Sequence, residues 1–278
     1  MKIIIPSYNR AATIQTQKYL EAGGCTDYQV ILHSEEQAAE YRREGVKNIV
    51  VSGVPRGVTH QRNWITRNLV SPGEWYVSMD DNVRGFRGVR PDHYDAETLP
   101  VQSSSFDKSI FDYQLNWPEL SARFASSIHH AEERGAAYVG FATVPNYYFL
   151  GRKWRYVGYV ISKVVLIKKM GIYYDTNLEA MEDFGFCAEN LVRFGRVLIN
   201  NFIIPQAGHY EPGGIGTYSE RVERKIKDCA YLMQKYPGLF RYKVKEGCHP
   251  KAELQIRFTS SEQVERWRAF GAKRAAAP

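Results

Sequence analysis

The chain has no apolar run approaching the roughly 20 residues that a bilayer helix requires, which excludes a membrane-spanning helical class. It is also poor in cysteine. Cys25, Cys187, Cys229 and Cys248 are scattered without a Cys-x-x-Cys pair, arguing against a structural zinc site or a disulfide framework and for reduced thiols. There is no internal repeat, and low complexity is confined to Ala275-Ala276-Ala277. The opening Met1-Lys2-Ile3-Ile4-Ile5-Pro6 is too short and too soon cut by proline for a signal peptide, so it reads as a buried strand of a cytoplasmic protein. No Gly-rich, Lys-bearing phosphate loop follows that strand, which counts against a nucleotidyltransferase.

What is present is ordinary for a soluble globular protein: 44% hydrophobic and 24% charged residues in a chain of 278. That length suits one large α/β domain or two closely packed halves. Lys plus Arg number 37 against 30 Asp plus Glu, and the pI is near 9.1, so an anionic partner such as a nucleotide, a nucleic acid or a phosphorylated polymer is favoured.

Apolar runs at Lys2 to Ile5, Tyr28 to Leu32, Asn48 to Val51 and Trp75 to Met79 read as strands, with helices at Gln15 to Ala22, Glu35 to Glu44 and Val58 to Leu69 between them. Ile- and Val-rich strands separated by helices predict a doubly wound, mostly parallel sheet, which binds ligands outside the carboxyl ends of its strands. From Arg84 to Trp117 the sequence reads as a long loop. A helix is expected at Pro118 to Arg134, a strand at Ala137 to Val144, and β-like stretches at Tyr156 to Ile161 and Val164 to Ile167. Glu182 to Phe194 reads as a helix, Val197 to Ile199 as a strand, Phe202 to Pro205 as strand-like, and Ser219 to Tyr236 as an amphipathic helix.

Several strand ends are chemically loaded. Asp80-Asp81-Asn82 supplies two carboxylates and an amide oxygen, a hard-oxygen set suited to Mg²⁺ or Mn²⁺, although an Asx-rich turn ending a strand has the same composition. Glu182-Asp183 opens a helix and offers a general base, or two first-turn acids that complement the macrodipole. His209, beside the turn Gly213-Gly214, is a further metal donor or an exposed loop histidine. Arg84, Arg87 and Arg90 recur every third residue, and Arg152-Lys153-Trp154-Arg155 follows Tyr147-Tyr148-Phe149. These arginines and rings suit phosphates and bases, or else form a solvated loop and a core strand with a basic edge.

Ile3-Ile4-Ile5-Pro6-Ser7-Tyr8-Asn9-Arg10 resembles the opening strand and loop of family-2-like GT-A glycosyltransferases, where the loop runs beneath the donor nucleobase and ribose. Gly57-Val58-Thr59-His60-Gln61-Arg62-Asn63 resembles their second nucleotide-contacting segment. Asp80-Asp81-Asn82 stands where their Asp-x-Asp metal motif belongs, with Asn82 replacing the last Asp. That replacement leaves one ligand neutral, weakening metal binding or moving it to Asp81. The resemblance implies one GT-A domain over residues 1–278, with a nucleotide-sugar half at 1–117 and an acceptor half at 118–278. It implies donor contacts from Pro6, Ser7, Tyr8, Asn9, Arg10, Gly57, Arg62, Asp80, Asp81, Gly213 and Gly214. It further implies a Mn²⁺ or Mg²⁺ held by Asp80, Asp81, Asn82 and His209, and Asp183 as base supported by Glu182.

The stretch from His209 through Gly213-Gly214-Ile215 to Glu220-Arg221, with Leu232 and Tyr236-Pro237-Gly238-Leu239-Phe240, is similar to the glycosyltransferases of DNA base hypermodification in phages, the group linked with TET-type oxygenases. It implies transfer from a UDP-sugar to a hydroxylated base such as 5-hydroxymethylcytosine in DNA, in a host-cell cytoplasm, with Arg84, Arg87, Arg152, Trp154 and Arg155 on the acceptor. The same chemistry on a surface glycan or small acceptor, a nucleotidyltransferase, and a non-catalytic binding module stand as rivals.

Overall fold

A computed structural model describes residues 1–143, 146–208, 218–241, 255–256 and 269. In chain order the elements begin β1 (Lys2–Pro6), α1 (Thr16–Ala22), β2 (Tyr28–Leu32), α2 (Glu35–Arg43), β3 (Ile49–Val51), α3 (Val58–Asn68) and β4 (Trp75–Met79). They continue with β5 (Val83–Gly88), α4 (Pro91–Tyr94), β6 (Tyr113–Gln114), α5 (Trp117–Arg134), β7 (Tyr138–Phe141), β8 (Trp154–Arg155), β9 (Val164–Lys168) and α6 (Glu182–Phe194). The remainder are β10 (Leu198–Asn200), β11 (Ile203–Ala207), α7 (Tyr218–Lys235), β12 (Phe240–Arg241) and β13 (Gln255–Ile256).

The main sheet has eight strands in the order β3-β2-β1-β4-β9-β7-β10-β8. It is mixed but mostly parallel: β9 runs antiparallel to both β4 and β7, and β8 antiparallel to β10, while the other neighbouring strands pair in parallel. Alternate residues of one strand enter different cores, as a pleat of period two demands. Ile3 and Ile5 pack with Leu20 of α1, Tyr41 of α2 and Phe124 of α5, whereas Ile4 packs with Ile65 of α3 and Leu191 of α6. Both faces are therefore covered, which is why these strands read as unbroken apolar runs. α6 carries a second apolar side, where Ala188 and Val192 meet Cys229 and Leu232 of α7.

The helix boundaries follow local chemistry. Asn116 and Glu119 form a reciprocal capping box at the start of α5, and Gly135 ends it in the left-handed conformation.

Three expectations are corrected. The stretch Arg84 to Trp117 is not a loop throughout: β5, α4 and β6 lie in it, and β5 pairs with β11 in a second sheet of order β11-β5-β6. Gly85 and Gly88 hide the strand pattern, yet a Cβ at Gly88 would lie 2.5 Å from the Phe202 carbonyl oxygen, so the close pairing needs glycine there. Tyr156 to Ile161 is not a strand; Gly158, at φ +152°, breaks the run where the chain crosses from β8 toward β9. Of the strand expected at Ala137 to Val144, Tyr138–Phe141 forms β7, Ala137, Ala142 and Thr143 are outside it, and Val144 lies outside the described residues.

Candidate functional site

The carboxyl ends of β1 and β4 open beside the amino end of α3 onto a cleft of about 1000 Å³. Its opposite wall is the turn before α6 together with one face of α7. A crevice at the carboxyl edge of a doubly wound sheet is where this architecture leaves room for a ligand.

The β1 and β4 ends are locked together. Asp81 accepts from Ser7 Oγ at 2.6 Å through Oδ2 and from Arg10 Nη1 at 2.8 Å through Oδ1. Burial raises the Asp81 pKa, an effect that Arg10 and Ser7 oppose. With both oxygens engaged, Asp81 organises the loop Ser7 to Arg10. Tyr8 stands at the rim with the Arg56 guanidinium 4.6 Å over its ring and His33 at 5.3 Å. Asn9 lies outside the lining: at φ 53° its Oδ1 accepts from Gln37 Nε2 of α2.

Arg62 is the centre of the site. Its side chain is 4% exposed. Nη1 donates to Glu182 Oε1 at 3.0 Å, while Nη2 donates to Asp80 Oδ1 at 3.0 Å and to the Ser162 carbonyl at 3.0 Å. Burial by itself would lower the Arg62 pKa, but Tyr174, Asp80 and Glu182 around it raise it, so the residue stays charged. The guanidinium thus ties the β4 carboxylate to the first acid of α6. Asp80 is set deep among protein atoms, although a third of its carboxylate side opens to the cleft; burial pushes its pKa up to about 6 despite Arg62.

Asp183 differs from its neighbour. Glu182 is committed to Arg62, whereas Asp183 is half-buried and faces the cleft. Its Oδ2 accepts from Tyr159, whose ring stacks on Phe184 at 3.8 Å, and its Oδ1 accepts from the Phe184 N–H at 2.9 Å. Burial and then the Glu182 charge raise its pKa; the Tyr159 hydroxyl opposes the rise. A carboxylate with a raised pKa, open to a cleft and held in one orientation, is equipped to take up a proton.

Gly57 precedes α3 at φ +133°, a conformation that L residues rarely adopt, and a Cβ there would lie 3.4 Å from His60 Cδ2. Gly57→Ala is expected to cost about 1–3 kcal/mol, read as a lowered denaturant midpoint. An unchanged midpoint would show that the turn relaxes freely.

The structure brings Pro6, Ser7, Tyr8, Arg10, Gly57, Arg62, Asp80, Asp81, Asn82, Glu182 and Asp183 to one cleft. It does not bring Arg84, Arg87, Arg152, Trp154 or Arg155 into the lining. Trp154 is 9% exposed and stacks on His130 at 4.4 Å, so it is a core residue of edge strand β8 and not an open platform. Arg87 pairs with Asp112 at 3.4 Å. His209, Gly213 and Gly214 lie outside the described residues. Sequence reading missed Tyr159, Lys163, Arg224 and Lys225, which also line the cleft. Only the run Tyr156-Val157-Gly158-Tyr159, with a glycine in an apparent strand, hinted at any of them.

No family model matches the chain, and no curated protein matches it. What the structure establishes is an α/β protein on a mostly parallel sheet, with no helix among its described residues long and apolar enough to cross a membrane.

Proposed function

We propose that the protein is a GT-A-type glycosyltransferase that moves a sugar from a nucleotide-sugar donor, a UDP-sugar by resemblance, onto a hydroxyl of a modified DNA base. The observation that carries the reading is convergence. Four segments distant in sequence, Ser7 to Arg10, Gly57 to Arg62, Asp80 to Asn82 and Glu182-Asp183, meet around one cleft, with a buried arginine joining the last two.

In this reading the Tyr8 rim takes the nucleobase and the amino end of α3 faces the diphosphate, where free backbone N–H groups favour an anion. The donor set fits a divalent cation. Asn82 Oδ1 is buried without a hydrogen-bond partner among the described residues, and the Asp80 carboxylate opens into the same cleft that Asn82 lines. Asp80 and Asn82 would hold Mn²⁺ or Mg²⁺, which when bound would supply positive charge to neutralise the leaving diphosphate. Asp81, with both oxygens engaged, keeps the donor loop in place. Asp183 takes the proton of the acceptor hydroxyl as its oxygen bonds the anomeric carbon, and the nucleoside diphosphate leaves with the electron pair of the broken C–O bond.

The test is to incubate the protein with DNA containing hydroxymethylated bases and a panel of nucleotide sugars, then digest and weigh the nucleosides. A nucleoside heavier by one sugar residue, lost on chelation, is expected. Release of nucleoside diphosphate with no mass gain on DNA, but with gain on a free glycan, would move the acceptor to the rival class. No diphosphate release from any donor overturns the transferase.

Tyr159→Phe probes the base. Removing a donor that favours the carboxylate raises the Asp183 pKa further, so the acid limb of kcat/KM should shift to higher pH. A limb that stays in place separates Asp183 from the titration.

A further inference from the structure

α7 presents one face to the acid wall of the cleft. Arg224, Lys225, Asp228 and Leu232 fall on that face by helical spacing. Leu232 is fully buried against α6, and Asp228, also fully buried, accepts through Oδ2 from the backbone N–H groups of Glu179, Ala180 and Met181 at 3.0, 2.7 and 2.9 Å. Three converging N–H groups on one carboxylate oxygen fix α7 against the turn that leads into Glu182-Asp183. Arg224 and Lys225, one turn before Asp228, are thereby held in the lining of the same cleft as that acid pair.

The charges on this wall are unevenly matched. Glu182 is neutralised by Arg62, and Glu179 is paired with Arg224 at 3.4 Å and Lys227 at 3.5 Å. Lys225 has no carboxylate within ion-pair distance among the described residues. A ligand approaching Asp183 from this side therefore meets a half-exposed ammonium on a long flexible stem, at a distance from the donor loop set by the width of the cleft. An ammonium of this kind suits a phosphate as a point charge.

We infer that the Arg224–Lys225 face of α7 is a phosphate subsite for the acceptor, so that the molecule presenting its hydroxyl to Asp183 carries a phosphate beside it. This rests on the transferase reading for the word acceptor, but its test needs no turnover. The phosphate is supplied by a nucleic-acid strand or by a small phosphorylated acceptor, and the two are separated by probe.

Fluorescence anisotropy of a short single-stranded DNA oligonucleotide, titrated over a salt series without donor, gives Kd and its salt slope for wild type, Lys225→Ala and Lys225→Arg. A nucleoside monophosphate and its unphosphorylated nucleoside form the second arm, and the Kd of the nucleotide sugar is measured alongside. Loss of one phosphate contact should lower the salt slope by about 0.7 for a single strand and weaken binding several-fold, with Lys225→Arg recovering most of it. Donor Kd should move less than twofold. Binding of the monophosphate but not the oligonucleotide assigns the subsite to a small acceptor. An unchanged slope, equal loss on the unphosphorylated nucleoside, or a shift confined to the nucleotide sugar overturns the subsite. So does wild-type protein that binds no phosphorylated probe even at low salt. A wild-type protein that binds the oligonucleotide through Lys225 but no nucleotide sugar would instead overturn the transferase reading and leave the subsite standing.

Discussion

Asp183→Asn should lower turnover by about two to four orders of magnitude, the usual contribution of a general base, while donor affinity stays close to that of the wild type. The substitution is close to isosteric. The amide oxygen can keep the Phe184 N–H while the amide nitrogen donates to the Tyr159 hydroxyl, so the ring stack on Phe184 and the start of α6 have no reason to move. What disappears is the site that takes the proton from the attacking hydroxyl. The wild-type acid limb should sit above the ordinary carboxylate range, because burial and the Glu182 charge disfavour ionisation and activity needs the ionised form. The measurement is kcat at saturating acceptor, with donor Kd from calorimetry. Near-normal turnover would place the base elsewhere, and Glu182→Gln would not rescue the assignment, since Glu182 is already engaged by Arg62.

Arg62→Met should cost about 3–5 kcal/mol of stability, because it strands carboxylates that a buried cation now balances. Glu182 is the larger source: its side chain is 9% exposed, whereas Asp80, 33% exposed, can recover some hydration from the cleft. The pH dependence follows from sign. Without Arg62 the Asp80 carboxylate, whose pKa burial already raises to about 6, binds its proton more tightly still in the folded state than in the unfolded chain, so the variant's deficit shrinks as pH falls toward 6 and grows as pH rises above it. Urea midpoints at pH 7 and pH 5 check this. A deficit that is small and independent of pH would mean that water replaces the guanidinium. The sequence suggested a donor contact at Arg62, but the structure shows both Nη atoms spent on protein acceptors, so under the proposed function its influence on a donor would pass through Asp80.

The parts of this molecule that were legible in sequence are those whose causes are local. Tyr28 to Leu32, Trp75 to Met79 and Glu182 to Phe194 have the observed bounds because an apolar run buried on both faces, or a strong amphipathic period with first-turn acids, needs no distant partner to be recognised. β5 was invisible because its strand character comes from pairing with β11, more than a hundred residues later, through glycines that carry no pattern. The same limit applies to the site. Acids at strand ends announced themselves, but Tyr159, Lys225 and Asp228 reach the cleft or its supporting turn only through the way α7 and the irregular crossover pack. Trp154 shows the converse error: an aromatic among arginines has the same sequence pattern whether it faces a ligand or, as here, stacks inside on His130.

The reversed strand β9 has a consequence for how the chain can be built. β1 to β4 come from the first 79 residues and can pair with one another as soon as they are synthesised. β7, complete by Phe141, cannot join them, because its link to β4 is β9, which is not finished until Lys168. A nascent chain therefore carries an assembled amino-terminal half beside a waiting apolar strand for roughly thirty residues of synthesis, about 1.5 to 6 s at ordinary elongation rates. Through that interval β4 presents an open, apolar edge, the condition under which strands pair with the wrong chain. The arrival of Val164–Lys168 closes that edge on one side and captures β7 on the other. The five-residue strand with the least resemblance to its neighbours' direction is thus the one on which completion of the fold, and of the wall that carries Asp183, depends.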